Sequence, residues 1–138
     1  MNDRVFLDTN IIIYLYSEDE DKKRDVSRKY LNNACSVTSV QAMNEASNVW
    51  IKKHNLDKTE IIKYLNEIEF ICDEIMLVRR NTIDQALDIK TRFGYSFYDS
   101  LMLASAIEAN CNIILTEDMK NRQIINGTLK IINPFFEQ

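Results

Sequence analysis

The sequence is poor in residues that break or link regular structure. It has only two glycines and one proline among 138 residues, whereas 46% of its residues are hydrophobic and 28% are charged. This composition is typical of a compact, helix-rich globular protein and excludes a disordered or fibrous chain. No linker, internal repeat or low-complexity segment is visible. We therefore predict a single domain over residues 1–138, long enough to bury roughly two-thirds of the surface of the unfolded chain.

Cysteine and histidine, the usual ligands of structural zinc, are also scarce. The three cysteines, Cys35, Cys72 and Cys111, are odd in number and lack the close spacing of a zinc site or a redox pair. We interpret them as reduced core residues, because each has apolar neighbours in sequence. The single histidine, His54, lies in the polar end of a predicted helix, where we expect it at the surface without a catalytic role.

Long apolar runs and an excess of basic residues are missing as well. No uncharged run approaches the ~18 residues that a membrane span requires, and no signal peptide precedes Asp8. We therefore expect a cytoplasmic protein with no membrane partner. The net charge of −4 provides no general attraction to nucleic acid. Contact with nucleic acid would depend on local basic groups, of which Lys120 and Arg122 are the candidates.

Short apolar runs alternate with amphipathic segments along the chain. The runs are predicted strands at 4–7, 35–38, 75–78, 112–115 and 129–132, and the segments are predicted helices at 11–16, 19–29, 39–54, 61–72, 82–93 and 96–110. Ser39 is the expected N-cap of the third helix. Because the predicted strands are almost entirely apolar, we predict an α/β fold whose parallel sheet is covered on both faces.

Four acidic residues stand in otherwise apolar stretches: Asp8, Glu45, Asp99 and Asp118, the last beside Glu117. Asp8 and Asp118 each follow a predicted strand, and ligands of parallel sheets bind beyond the carboxyl ends of the strands. Unpaired carboxylates that are brought together repel one another and take up protons unless a cation neutralises them. Mg²⁺ and Mn²⁺ prefer oxygen ligands of this kind. The set therefore predicts a divalent-cation site.

Three of these acids also have a purely structural interpretation. Asp8 can cap the helix that follows it, and Asp118 can be a turn residue. Asp99 stands three residues after Ser96, which is a capping-box arrangement. Glu45 is harder to explain locally, because it lies inside a predicted helix without a lysine or arginine three or four residues away. As a set, the four acids favour a metal site.

Several ordered stretches resemble the PIN-domain ribonucleases, especially the VapC-like toxins of bacterial toxin–antitoxin pairs. The stretches are FLDTN at 6–10, QAMNE at 41–45, SFYDSL at 96–101, LTEDM at 115–119, QIING at 123–127 and INPF at 132–135. The resemblance covers essentially the whole chain. It implies a three-layer α/β/α fold with a short parallel central sheet, homodimerisation, and Mg²⁺- or Mn²⁺-dependent cleavage of RNA.

Site residues follow from this resemblance by matching positions. The acidic quartet of the family falls on Asp8, Glu45, Asp99 and Asp118, which are the implied metal ligands and catalytic residues. Thr9 and Asn10 match the polar residues beside the first acid, and Thr116 matches the hydroxyl position before the last acid. The fourth acidic position is the least regular in the family. Glu117 stays open as an alternative there, although the T-x-D pattern favours Asp118.

The implied function is an endoribonuclease that acts as the toxin of a pair, with RNA as its substrate and a cognate antitoxin as its partner. A non-catalytic RNA-binding or scaffold protein of the same fold is the alternative, but such a copy could lose the acids without losing its core. A receiver or phosphatase domain also gathers acids at strand ends. It fits poorly, because a phosphatase of this type needs a second aspartate where Asn10 stands.

Overall fold

Strands and helices alternate along the computed structural model, which describes residues 3–136. In this range the strands are β1 (Arg4–Leu7), β2 (Cys35–Ser39), β3 (Glu74–Met76), β4 (Ile113–Leu115), β5 (Ile124–Ile125) and β6 (Leu129–Ile132). The helices are α1 (Thr9–Tyr14), α2 (Asp21–Asn33), α3 (Val40–Lys52), α4 (Lys58–Ile71), α5 (Arg80–Phe93) and α6 (Phe97–Glu108). Each predicted strand and helix is therefore present, with ends shifted by a few residues.

One sheet contains all of these strands in the order β3-β2-β1-β4-β6-β5. Its pairs are parallel apart from β5 with β6, which is antiparallel. The prediction of a parallel sheet is thus confirmed for five strands, whereas β5 was not predicted, because two residues are too few for a periodic pattern. The β5–β6 turn contains Asn126 and Gly127, both with positive φ, of 51° and 74°.

Helices cover both faces of the sheet, as the three-layer prediction requires. Helix α1 packs against α2 and α3, whereas α5 and α6 pack against each other. Right-handed crossovers place the helices between β1 and β3 on one face and α5 and α6 on the other. The order of strands reverses between β1 and β4, and such a switch point opens a crevice at the carboxyl ends of the two strands.

The core lies between these layers and is densest around α6. Residues 100–106 of this helix are all buried, which places the helix in the core. Most side chains of β1 and β4 are inaccessible too, with Phe6 and Ile114 fully buried. At the start of α3, Ser39 Oγ accepts a hydrogen bond of 3.1 Å from the Ala42 amide, so the predicted N-cap is confirmed.

The cysteines and the histidine follow the sequence prediction with one exception. All three thiols are free, and Cys72 and Cys111 are buried. Cys35 is only partly buried, so its interpretation as a core residue was wrong: Arg4 on the neighbouring strand donates a hydrogen bond of 3.2 Å to its sulfur. His54 is exposed, as expected. No helix in the described part of the chain is long and apolar enough to cross a membrane.

Candidate active site

Asp8 is the most buried of the four acids and lies at the carboxyl end of β1. Only 5% of its surface is accessible. It caps α1, where one carboxylate oxygen accepts a hydrogen bond of 2.7 Å from the Thr9 amide, and the other accepts one of 2.7 Å from the Thr116 hydroxyl. The pKa of Asp8 is raised to about 6: burial is the largest cause, the two hydrogen bonds lower the pKa, and the charges of Asp99 and Asp118 raise it.

Strand register brings Asp8 beside Thr116. Leu7 pairs with Leu115 across the parallel neighbours β1 and β4. The next residues, Asp8 and Thr116, therefore lie side by side where the two strands end. The Asp8 amide donates a hydrogen bond of 3.2 Å to the Leu115 carbonyl and continues the ladder by one step. Both residues therefore line the crevice at the switch point between β1 and β4.

Asp118 lies in the loop after β4, on the same side of the sheet. Its carboxylate accepts a hydrogen bond of 2.6 Å from the Asn10 side-chain amide, and its backbone amide donates one of 3.2 Å to the Thr116 hydroxyl. Burial raises the pKa of Asp118, the charges of Glu117 and Asp99 raise it further, and the charge of Lys23 lowers it. Asp118 is thus tied to the residues that surround Asp8.

The neighbouring Glu117 makes different contacts. It accepts a hydrogen bond from the Tyr14 hydroxyl and forms an ion pair of 2.9 Å with the Lys23 ammonium. Lys23 belongs to the charged run of α2 that the sequence presents as a solvated face, and no local pattern distinguishes it from the other lysines there. No sequence pattern therefore identifies Tyr14 and Lys23 as neighbours of the acidic residues.

Glu45 reaches the site from the interior of α3. Its carboxylate is half-buried and accepts a hydrogen bond of 3.0 Å from the Gln41 side chain, one turn earlier. Burial raises the pKa of Glu45, Gln41 lowers it, and the charge of Asp99 raises it. The Thr9 hydroxyl is near enough to lower this pKa too, although Thr9 Oγ1 is buried without a hydrogen-bond partner in residues 3–136.

Asp99 connects the four acids electrostatically. It lies in the first turn of α6, where its amide donates a hydrogen bond of 3.1 Å to Ser96 Oγ, so the predicted cap at Ser96 is present. Burial raises the pKa of Asp99, and Ser96 lowers it. Its negative charge in turn raises the pKa of Asp8, Glu45 and Asp118. The fold thus brings the four sequence-predicted acids into one neighbourhood.

No cation in the described range forms an ion pair with any of these four carboxylates. Such a set of oxygen donors has the chemistry that Mg²⁺ or Mn²⁺ binds. Within residues 3–136, however, no three acidic, histidine or cysteine side chains converge closely enough to hold a metal ion as they stand. Asn10 and Gln41 hold two of the carboxylates through their side-chain amides. The donors therefore fit such an ion in chemistry, without forming a closed coordination shell.

The two predicted basic contacts, Lys120 and Arg122, are exposed on the loop after Asp118. The Lys120 amide donates a hydrogen bond of 3.1 Å to the Tyr95 hydroxyl. Arg122 has a positive φ of 74°, and its amide donates a hydrogen bond of 2.7 Å to the Ile131 carbonyl. The loop backbone is therefore fixed, whereas both cationic side chains extend into solvent.

Known proteins share this fold. A family model described as PIN domain matches residues 5–124. A toxin–antitoxin complex from Klebsiella pneumoniae superposes with a TM-score of 0.70 at 17% identity, over 95% of this chain and 98% of that chain. VapC20 of Mycobacterium tuberculosis, a Sarcin-Ricin loop cleaving toxin, gives a TM-score of 0.65 at 15% identity, over 80% and 86% of the two chains.

A third similar structure is VapBC2 from Rickettsia felis, bound to a DNA fragment from its promoter. It gives a TM-score of 0.66 at 18% identity and covers 94% of this chain and 99% of that chain. None of the curated proteins matches the chain in sequence. Because the family model spans most of the sequence and the fold agrees with it, this chain belongs to the PIN domain family.

Proposed function

We propose that this protein is a metal-dependent endoribonuclease and the toxin of a toxin–antitoxin pair. One observation carries the proposal: four carboxylates share a neighbourhood at the switch point of the sheet, and no ion pair to them occurs among residues 3–136. Their mutual repulsion is unfavourable in the free protein. A bound divalent cation, together with the phosphodiester of a substrate, would compensate this repulsion.

The PIN domain family and the structural relatives support this function. The relatives include a toxin–antitoxin complex and a toxin that cleaves the Sarcin-Ricin loop. By analogy, the substrate of this chain is RNA and its protein partner is a cognate antitoxin. Homodimerisation stays a prediction. It rests on membership of the PIN domain family.

Asp8, Glu45, Asp99 and Asp118 would hold the ion. When bound, Mg²⁺ or Mn²⁺ supplies charge neutralisation at the scissile phosphate and activates water for attack. The protein contributes orientation: hydrogen bonds from the Thr9 amide and the Thr116 hydroxyl keep Asp8 in place and favour its ionised form.

Other side chains of the site hold or approach the substrate. Asn10 orients Asp118 through a hydrogen bond of 2.6 Å, and Thr9 lies beside Glu45. Lys120 and Arg122 extend from the loop that follows Asp118 and would contact phosphates of the bound RNA, since exposed cations near a phosphodiester site supply such contacts. A histidine base is not required in this scheme.

Cleavage of RNA in the presence and absence of divalent metal tests the proposal. Purified protein with Mg²⁺ or Mn²⁺ is expected to cut RNA internally, and Asp99→Asn is expected to abolish cleavage while the far-UV circular dichroism spectrum stays unchanged. Glu69→Gln, an exposed change on α4, is the matched control. Full activity in EDTA, or in the Asp99→Asn variant, would overturn the proposal.

A non-catalytic RNA-binding or scaffold protein is the second candidate. It is favoured by the lack of a preformed set of three metal ligands among the described residues. Titration calorimetry with Mn²⁺ separates the two functions, because a scaffold is expected to give neither a binding signal nor cleavage. A metal-dependent nuclease, in contrast, is expected to bind Mn²⁺ and to cleave RNA.

A further inference from the structure

A surface cavity lies between α2 and the segment that follows β6. Its volume is about 400 Å³, and its walls are formed by Lys22, Lys23, Val26 and Phe135. The walls thus combine an aromatic ring and an aliphatic side chain with the cation of Lys22, unpaired among residues 3–136, and with Lys23, whose charge is paired with Glu117. Such a combination suits a ligand with a flat apolar part and a negative charge.

The aromatic wall is held in place by its neighbours. The rings of Phe135 and Tyr14 meet edge to face, with centroids 5.4 Å apart. The Lys23 ammonium lies 4.8 Å from the Tyr14 ring centre and 5.3 Å from the Phe135 ring centre. Lys23 is itself anchored by its ion pair of 2.9 Å with Glu117. The orientation of Phe135 is therefore set before any ligand arrives, which lowers the entropy cost of binding.

The cavity adjoins the acidic site through three links. Tyr14 ends α1, the short helix that Asp8 caps. Glu117, the ion-pair partner of Lys23, directly precedes Asp118 in the chain. The charge of Lys23 also reaches Asp118, whose pKa it lowers. A substrate whose scissile phosphate sits at the acids would therefore have its neighbouring nucleotide within reach of the cavity.

We propose that this cavity binds one unpaired nucleotide of the RNA substrate next to the scissile phosphate, with its base against Phe135 and its phosphate near Lys22. The proposal rests on the proposed nuclease function. Aromatic rings bind bases by stacking, and stacking requires a base that is not paired in a duplex. Lys22 is exposed and forms no ion pair within residues 3–136, so its charge is available to a phosphate.

Binding and cleavage are measured separately to test this proposal. Fluorescence anisotropy with a labelled 12-nucleotide single-stranded RNA of mixed sequence, in EDTA, reports affinity without cleavage. Phe135→Leu keeps an apolar side chain but removes the ring, and we expect about tenfold weaker binding, in the range that one stacked base contributes. A duplex RNA of equal length is expected to bind the wild-type protein and Phe135→Leu with equal affinity. Phe70→Leu, on the exposed surface of α4, is the matched control. It is expected to leave the affinities for the single-stranded and the duplex RNA unchanged.

A second variant tests the phosphate contact. Lys22→Gln is expected to reduce the slope of log affinity against log salt concentration by about one, which is the effect of losing one phosphate contact. Lys63→Gln, an exposed lysine on α4, is the control and is expected to leave the slope unchanged. Thermal unfolding of all variants verifies that they are folded.

The outcomes distinguish this proposal from the nuclease function. If folded Phe135→Leu binds single-stranded RNA as tightly as the wild-type protein, the nucleotide site is overturned. This holds whether or not the wild-type protein cleaves RNA. Weaker binding in this variant, together with no cleavage by the wild-type protein in Mn²⁺, supports the nucleotide site and contradicts the nuclease. No binding of single-stranded RNA by the wild-type protein overturns the nucleotide site, whereas the nuclease function is decided by cleavage in Mn²⁺.

Discussion

The Thr116 hydroxyl donates a hydrogen bond of 2.7 Å to the Asp8 carboxylate, across the boundary where the order of strands reverses. This contact lowers the pKa of Asp8 and so opposes the effect of burial, which raises it. The second carboxylate oxygen accepts from the Thr9 amide. Asp8 is thus fixed in position while its ionised form is partly stabilised.

Replacing Thr116 by valine is expected to shift the pH dependence of cleavage. Valine has nearly the same shape but cannot donate the hydrogen bond, so the pKa of Asp8 rises above its value of about 6. The acidic limb of the rate profile then moves to higher pH, with a loss of about tenfold at pH 6 and a smaller loss at pH 8. Single-turnover rates across this range provide the measurement.

Thr116→Ser is the control for this change, because serine retains the hydroxyl. We expect its profile to match that of the wild-type protein. Equal losses at pH 6 and pH 8 in Thr116→Val would indicate a general packing defect and contradict a role in orienting and ionising Asp8.

Asp8→Asn is expected to stabilise the metal-free protein above neutral pH. The pKa of Asp8 is about 6 in the folded protein against an ordinary value of 3.8, so the folded state binds this proton more tightly than the unfolded state. Ionisation of Asp8 therefore reduces the free energy of unfolding as the pH rises from about 4 through 6. The full cost above pH 7 is on the order of 3 kcal/mol, since one pKa unit corresponds to about 1.4 kcal/mol.

Thermal unfolding in EDTA measures this effect. The midpoint for Asp8→Asn is expected to exceed that of the wild-type protein by several degrees at pH 7.5, and the difference is expected to disappear near pH 4, where the wild-type carboxyl is protonated. A variant that is less stable than the wild-type protein at pH 7.5 would refute the interpretation of Asp8 as a destabilising buried charge.

Asp118→Asn is expected to reduce activity, whereas Glu117→Gln is expected to reduce stability. Asp118 lies beside Asn10 and interacts with the other acids, so its neutralisation is expected to reduce cleavage at least tenfold. Glu117 is instead bound by Tyr14 and Lys23, and Glu117→Gln is expected to retain most activity while losing stability of up to about 1 kcal/mol. Cleavage rates and urea unfolding measure the two effects, and a stronger activity loss in Glu117→Gln would reverse the assignment.

Affinity for Mn²⁺ is expected to fall at low pH. The ion binds ionised carboxylates, and the pKa of Asp8 is about 6, so only about a tenth of Asp8 is ionised at pH 5. Titration calorimetry is expected to give a dissociation constant about tenfold larger at pH 5 than at pH 7.5. An equal constant at both pH values would exclude Asp8 from the ligands.

Local sequence patterns are sufficient to predict several features of this protein. Strands β1, β2, β3, β4 and β6 follow from short apolar runs, and the caps at Ser39 and Ser96 follow from hydrogen bonds within one turn. The four acids could be selected because charges in apolar stretches are rare, although only Asp8 of the four is buried. Each of these features depends on interactions between residues close in sequence.

Tertiary structure alone decided how the site is assembled. Thr116 meets Asp8 from 108 positions away, and Lys23 meets Glu117 from 94 positions away. The contact with Lys23 distinguishes Glu117 from Asp118. Lys23 also lies beside the Phe135 ring. Strand β5 likewise forms only because β6 lies beside it. Local periodicity contains no information about such pairs, because the fold brings them together through sheet register and helix packing.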